Sequence, residues 1–504
     1  MRACESAAIA AGTVTGYGLM GRAGRGVVDA ILSDADLAMA ARAGVLVLAG
    51  PGNNGGDGYV IAALMKAKGF AVRILALGDP ARLPPDAARA HDLWCRDGGA
   101  VEDGEALGDE WGADPALARC GLIVDALFGA GLSRPIEGTA AVLMARANAL
   151  CDAGARLVAV DCPSGLDMDN GALRALGAAG EGFAIRADLT VTFHAERPGH
   201  FLDAGPEQCG RLACVEIGLD DKVSRISKAS ALDAAALMPP RSGHKYQRGH
   251  VLVAAGPRGR TGAARLSARA ALRTGAGLAT FLAPEESVAE LAASERAVMI
   301  RAGDGAAGLQ ELLADPRYGA LVLGPGNGIG DRLAGMVEAA LADPRPRGIV
   351  LDADALTSFA GEPGRLFAAI RSSASKVVLT PHEGEFARLF GDLVGMGKLD
   401  AACKAAARSG AVMLLKGADT VAAHPDGRAI FVPAAYGREA PFLATAGSGD
   451  ILAGIVAALL LRGGDALDAA AAGAFLHQEA GRRAGPGSMA EDIESALRGV
   501  LAQV

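Results

Sequence analysis

Short runs of β-branched and aliphatic residues alternate along the chain with alanine-rich segments whose apolar positions recur at helical spacing. In the first half, Val45–Ala49, Ala71–Leu77, Gly121–Asp125 and Leu157–Asp161 are short and nearly all apolar, and Tyr59–Lys68 between the first two is periodic. That alternation predicts βαβ units around a parallel sheet with both faces covered. From Val215 to His244 the character changes: a strand-like end, a polar stretch at Asp220, Asp221 and Lys222, an alanine-rich piece, then Pro239, Pro240 and Arg241. The rhythm restarts with Val251–Ala255, a helix through Gly262–Arg273, and strands near Leu278–Leu282, Ala320–Leu323, Ile349–Asp352, Val377–Leu379 and Val412–Leu415. Two doubly wound α/β domains are expected, at 1–222 and 245–504, with 223–244 as the linker region. No residue-by-residue period relates the halves, so they are read as two different domains.

Composition narrows the class. A chain of 504 residues exceeds the size of one core, and with 4% aromatics its packing must come from alanine, valine and leucine. The net charge of -8 argues against a nucleic-acid binder that works through a broad basic surface, so an anionic ligand must be captured locally. Eight cysteines without a CxxC pair read as reduced thiols, and a cytoplasmic setting is expected. The apolar stretch Ile451–Leu461 falls short of the ~20 residues needed to cross a bilayer, and no basic segment followed by an apolar run opens the chain. Neither a membrane nor a secretory role is expected.

In open parallel sheets, ligands sit beyond the carboxyl ends of the strands. After the first strand comes Gly50-Pro51-Gly52-Asn53-Asn54-Gly55-Gly56-Asp57-Gly58, where glycines permit positive φ and close approach of backbone N–H groups to an anion. This is neither GxGxxG nor GxxxxGK[ST], and a tight strand-to-helix turn is the plainer reading. Asp125 and Asp161 close two further strands. Phe128-Gly129-Ala130-Gly131-Leu132-Ser133-Arg134-Pro135 follows the first, and Cys162-Pro163-Ser164-Gly165 the second. Either aspartate alone fits a helix cap.

These stretches together resemble the NAD(P)H-hydrate epimerase family over most of residues 1–220. The resemblance implies that Asn53, Asn54, Gly55, Gly56 and Asp57, the run Gly129, Ala130, Gly131, Leu132, Ser133, Arg134 and Pro135, and Asp161 contact a hydrated dinucleotide. It also implies a potassium ion (K+) on Asn54, Asp125 and Ser164, oxygen donors of the kind a hard cation takes. Asp161 is the candidate base for epimerisation at C6.

In the second half, Thr445-Ala446-Gly447-Ser448-Gly449-Asp450 precedes a strongly apolar segment. Backbone N–H groups at such a helix start can stabilise a transferring phosphoryl group while Asp450 takes a hydroxyl proton, although a simple cap has the same composition. Lys416-Gly417-Ala418-Asp419-Thr420 ends a strand with a cation and a polar turn, Thr380-Pro381-His382-Glu383-Gly384-Glu385 ends another, and Leu323-Gly324-Pro325-Gly326-Asn327 and Asp352-Ala353-Asp354 end two more. His382 alone would more often be structural.

With Thr261-Gly262-Ala263-Ala264 these motifs resemble the NAD(P)H-hydrate dehydratase family, a branch of the ribokinase-like fold, from about Lys245 onward. The resemblance implies that Ala263, Gly326, His382 and Asp450 meet the hydrated cofactor, and that Lys416, Gly417, Ala418, Asp419, Thr420 and Gly449 meet the adenine nucleotide. A fused epimerase and ADP-dependent dehydratase is therefore expected. It would act on NADHX and NADPHX with ADP or ATP as donor and Mg2+ beside the donor, in a homo-oligomer. The competing reading is a ribokinase-like small-molecule kinase fused to a non-catalytic nucleotide-binding or scaffold module.

Overall fold

The computed structural model describes residues 2–105, 117, 119–131, 134–177, 180–220, 224–239 and 244–504. The chain divides into two compact units, Met1–Val223 and Ser224–Val504.

The first unit contains β1 (Val45–Ala49), β2 (Val72–Ala76), β3 (Glu102–Asp103), β4 (Leu122–Ala126), β5 (Arg156–Val160), a small hairpin of β6 (Ala175–Leu176) and β7 (Gly182–Phe183), β8 (Leu189–Phe193) and β9 (Arg211–Val215). Its main sheet is parallel throughout, in the order β3-β2-β1-β4-β5-β8-β9. Strand β1 is buried at every position because helices cover both faces. Val45, Val47 and Ala49 join the core with the helices Gly16–Ser33 and Asn53–Ala67, whereas Leu46 and Leu48 join the opposite core with Gly138–Asp152. The winding reverses between β1 and β4, which opens a crevice past Ala49 and Ala126.

The second unit contains β10 (Ile226–Lys228), β11 (His250–Ala254), β12 (Leu278–Ala283), β13 (Met299–Ala302), β14 (Tyr318–Leu323), β15 (Gly348–Leu351), β16 (Lys376–Leu379), β17 (Val412–Leu415), β18 (Thr420–Ala423) and β19 (Ala429–Val432). The order is β10-β19-β18-β17-β16-β15-β14-β11-β12-β13, with only the two pairings of β18 antiparallel. The reversal falls between β11 and β14. The apolar segment after Asp450 is the helix Ser448–Leu460, buried at every position from Ile451 to Leu460 and packed into one core with Val251, Val253 and Val322. An apolar run of that length is a core helix, and among the described residues no helix is long and apolar enough to cross a membrane.

Part of the expected linker is folded. Residues Ile226–Lys228 pair in parallel with β19, and Ala231–Ala236 forms a helix whose start is closed by a reciprocal Ser230–Asp233 capping box. The open edge of β19 supplies the backbone partners that three residues of β10 need. The expected boundary at 222/223 lies outside the described residues.

Candidate active sites

In the first unit, the glycine-rich stretch is mostly helix. Asn53–Ala67 begins six residues before the expected Tyr59, so Asn53, Asn54, Gly55, Gly56 and Asp57 form its first turn rather than a loop. None of its glycines has positive φ. They are small because neighbours are close: a Cβ on Gly55 would run into the Gly50 carbonyl, one on Gly56 would meet Met20 Cε at 2.5 Å, and one on Gly58 would meet Ala126 Cβ at 2.8 Å. Gly52, at the cap, makes no side-chain hydrogen bond to the first turn, so the leading N–H groups face the crevice uncapped.

Asp125 and Ser164 meet directly. Ser164 donates from Oγ to Asp125 Oδ1 at 2.6 Å and from its backbone N to Oδ2 at 2.7 Å, while Phe128 N donates to Ser164 Oγ at 2.9 Å. Burial pushes the Asp125 carboxyl up to about 6, against these hydrogen bonds, which favour its charge. Asn54 reaches the same loop: its Oδ1 would lie 3.2 Å from a Cβ on Gly129, and its buried Nδ2 has no hydrogen-bond partner. The structure thus gathers Asn54, Asp125, Ser164 and Gly129 at one place. Gly131, Arg134 and Pro135 are exposed, and Leu132 and Ser133 lie outside the described residues.

Asp161 follows β5 with φ of 66°, a left-handed conformation that costs a non-glycine residue free energy and that the surrounding contacts must hold. Its Oδ2 accepts from Ala130 N at 3.3 Å and faces Arg197 Nη2 at 3.5 Å, and its Oδ1 accepts from Thr192 Oγ1 at 3.2 Å. His200 grips the backbone. Its Nδ1 accepts from Arg197 N at 3.0 Å, which leaves Nε2 to carry the proton toward the Asp161 carbonyl oxygen at 3.2 Å. Burial lowers the His200 pKa, consistent with that neutral tautomer. Asp57 is pushed well above the ordinary carboxyl range, by burial and then by the charges of Asp161 and Glu5. Sequence reasoning missed Thr192, Arg197 and His200. Their signal was the strand β8 and the Arg197-Pro198-Gly199-His200 turn beyond it, which carry no carboxylate.

In the second unit, Asp450 stands in the first turn of Ser448–Leu460, behind Gly447, whose φ of 89° is left-handed and which makes no side-chain cap. Burial pushes the Asp450 carboxyl up to about 7, the Asp352 charge adds to the rise, and Lys416 opposes it. Lys416 Nζ donates to Asp352 Oδ1 at 2.8 Å and lies 4.0 Å from Glu385 Oε2. Burial works against the ammonium charge, yet Asp352 and Glu385 more than offset it, so the Lys416 pKa is raised. A Cβ on Gly449 would lie 3.2 Å from Lys416 Nζ and 3.7 Å from Asp352 Oδ2, which brings Gly449, Lys416 and Asp352 together beside Asp450. Ser267 Oγ donates to the Asp450 carbonyl at 2.8 Å. Ser448 Oγ sits 2.9 Å from Nε2 of His477, whose pKa burial pushes down to about 4.

The remaining expected residues are distributed around this centre. Residues Lys416–Asp419 form the turn between β17 and β18, and Asp419 is paired with Lys398 at 2.9 Å. Thr420 Oγ1 donates to the Gly417 carbonyl at 3.4 Å, and Ala418 shares the exposed side of that turn. His382 caps the helix Glu383–Leu389: its Nδ1 accepts from Gly384 N at 2.9 Å, and its own N donates to Glu385 Oε2 at 2.9 Å. Gly326, with φ of 70°, faces Ala263: a Cβ there would lie 3.4 Å from Ala263 Cβ. Lys398 went unnoticed in the sequence because it stands on a helix, away from any strand end.

Fold and sites define the class: a Rossmann-like α/β unit followed by a second doubly wound α/β unit, each with a carboxylate beside an uncapped helix start at the carboxyl ends of its strands. Residues 16–199 match the family described as YjeF-related protein N-terminus, and residues 251–495 match the one described as NAD(P)H-hydrate dehydratase. The bifunctional NAD(P)H-hydrate repair enzyme Nnr of Escherichia coli (strain K12) is 34% identical, over 90% of this chain and 84% of its own. The enzyme of the same name from Moorella thermoacetica is 36% identical, over 92% and 88%. A solved ADP/ATP-dependent NAD(P)H-hydrate dehydratase from Bacillus subtilis, co-crystallised with ATP/Mg2+, is 25% identical and covers 55% of this chain and 98% of its own, with a TM-score of 0.47. The chain belongs to the bifunctional NAD(P)H-hydrate repair enzyme family.

Proposed function

We propose that the chain repairs hydrated nicotinamide dinucleotides: the first unit interconverts the R and S forms of NADHX and NADPHX, and the second dehydrates the S form while converting ADP to AMP and phosphate. One observation carries the reading. Each unit sets a carboxylate beside a helix start whose first N–H groups lack a side-chain cap, so an anionic ligand and a base meet at the same point.

In the first unit, Asp161 accepts the proton of the C6 hydroxyl, the N1–C6 bond opens to an aldehyde with a proton taken up at N1, and reclosure on the other face gives the epimer. Thr192 and Arg197 orient the Asp161 carboxylate for that exchange. Asn53 to Asp57 and Gly129 to Pro135 bind the dinucleotide. The donor set around Asp125 suits K+: a buried carboxylate whose hydrogen-bond partners are all neutral, a serine hydroxyl, and the Asn54 amide oxygen beside Gly129. Asn54, Asp125 and Ser164 would hold that ion, which supplies a fixed positive charge.

In the second unit, Asp450 takes the hydroxyl proton as the β-phosphoryl group of ADP moves to that oxygen and AMP leaves. The C6–O bond then breaks with phosphate as leaving group, driven by the ring nitrogen, and loss of a proton from C5 restores the reduced ring. Lys416 to Thr420 and Gly449 hold the nucleotide, and Ala263, Gly326 and His382 hold the hydrate. Among the described residues no group of three or more His, Cys, Asp or Glu could hold a metal, so Mg2+ is assigned to the nucleotide's phosphates.

The test is incubation of the purified chain with mixed R and S hydrates, K+, Mg2+ and ADP or ATP, following the return of reduced-nicotinamide absorbance. Full recovery is expected, since the S form is consumed and the R form feeds it. No recovery with either donor would discard the reading.

A further inference from the structure

Beyond Gly326, across the β11/β14 reversal, lies a cleft of about 700 Å³. Glu285, Glu286, Asp304, Asn327 and Arg332 line it with Pro257. Its walls are the segments leaving β11, β12, β13 and β14, so it occupies the position where open parallel sheets take dinucleotides, and its size suits a ligand of that kind. It adjoins the reaction centre through one loop. Gly326 faces Ala263, Gly328 N donates to Asp354 Oδ2 at 2.8 Å, and Asn327 between them lines the cleft.

The wall offers acceptors. Asn327 is only 3% exposed, and its Nδ2 donates to the carbonyls of Ala254 and Pro325, each at 2.9 Å. Two carbonyl partners fix the amide orientation and leave the buried Oδ1 without a donor. The arginine is already neutralised: Arg332 Nε donates to Asp304 Oδ1 at 2.6 Å, and its Nη1 donates to the Asn327 carbonyl at 3.2 Å. Glu285 and Glu286, directly past β12, are exposed and have no ion-pair partner among the described residues. An occupant must therefore bring O–H or N–H donors and carry no further negative charge at that end.

We propose that this cleft receives the adenosine-ribose end of the hydrated dinucleotide, with Glu285 and Glu286 accepting from its free 2′ and 3′ hydroxyls, so that the second unit prefers NADHX over NADPHX. A carboxylate past the strand next to the central one is how dinucleotide sites read a free ribose, and a 2′-phosphate in that place meets like charge instead. The inference rests on the dehydratase reading above. Because the discriminating contacts are remote from the reacting ring, they act on binding, and the difference falls on KM rather than kcat.

The experiment compares initial rates of the full chain on (6S)-NADHX and (6S)-NADPHX with ADP, Mg2+ and K+. The expected result is kcat values within twofold of each other and a KM at least tenfold higher for NADPHX. Both glutamates are exposed, so an E285Q/E286Q double variant is expected to fold and to close the gap to under threefold, through a lower NADPHX KM. Product inhibition of the unaltered chain reads the same preference without a variant, with NADH the tighter inhibitor. Equal KM values, or a gap that survives in E285Q/E286Q, overturn the proposal alone. Failure to dehydrate either hydrate overturns the dehydratase reading and this proposal with it.

Discussion

Asp450 has to give up its proton before it can take one from the substrate. With its carboxyl pushed up to about 7 by burial and the Asp352 charge, the base form gains population as pH rises through neutrality. Dehydration by the second unit is therefore expected to rise from pH 6 to about pH 8 and then level, and Asp450→Asn should lose about 10²–10⁴-fold in kcat. The same shift governs stability in the opposite sense. Below the unfolded value of 3.8 the group is protonated whether folded or not, and between there and about 7 the unfolded chain ionises more readily, so native stability falls as pH rises. Removing the ionisable group should thus stabilise the second unit at pH 8, by on the order of 2–4 kcal/mol, and leave it nearly unchanged at pH 4. Thermal unfolding of Asp450→Asn and the unaltered chain at both pH values checks this. A variant less stable at pH 8 would show that the Asp450 charge is compensated in the fold, with Lys416 the nearest candidate.

The first turn of Asn53–Ala67 shows how far local pattern carries at the scale of an element. Five glycines after a strand suggested a loop made for positive φ, and the helix starts among them instead, with most of them held to glycine by close contacts. Two of these positions separate the explanations. A Cβ on Gly52 would meet nothing within 4 Å, whereas one on Gly55 would strike the Gly50 carbonyl, which is backbone and cannot rotate away. In an open helix Gly→Ala gains up to about 1 kcal/mol, but overpacking against backbone costs about 1–3 kcal/mol. Gly55→Ala is expected to destabilise the first unit and weaken epimerisation, while Gly52→Ala, at the cap with room for its Cβ, costs no more than about 1 kcal/mol. Denaturant midpoints and R-to-S rates of the two variants check the contrast, and a neutral Gly55→Ala would return the stretch to a simple turn. The strand-end carboxylates Asp125, Asp161 and Asp352 could be found from the sequence because a strand followed by a charged residue is a local signal. The contacts that govern them could not: Arg197 and His200 reach Asp161 across 36 and 39 positions, and Lys416 reaches Asp352 across 64. Such pairings follow from sheet order, which period and composition do not encode.

At the scale of the molecule, two units with separate cores and separate sheets carry out consecutive reactions on one substrate. Each fold was legible from its alternation of strands and helices. The short strand β10 was hidden in the expected linker, because three residues become a strand only when an existing sheet edge receives them. If each unit holds a complete site, the chain does not need both sites intact in the same molecule. In the full chain, Asp161→Asn should leave dehydration of the S hydrate unchanged and cut consumption of the R hydrate by about 10²-fold or more, down toward the spontaneous rate. Asp450→Asn should epimerise normally and restore absorbance about 10²–10⁴-fold more slowly. Mixed in equal amounts, the two variants should again recover the whole of a mixed-hydrate sample, because the S hydrate leaves one molecule and reaches the other through solution. Recovery that halts at the S fraction in the mixture would mean that the epimer must pass between sites of a single chain, and the independence of the two units would have to be abandoned.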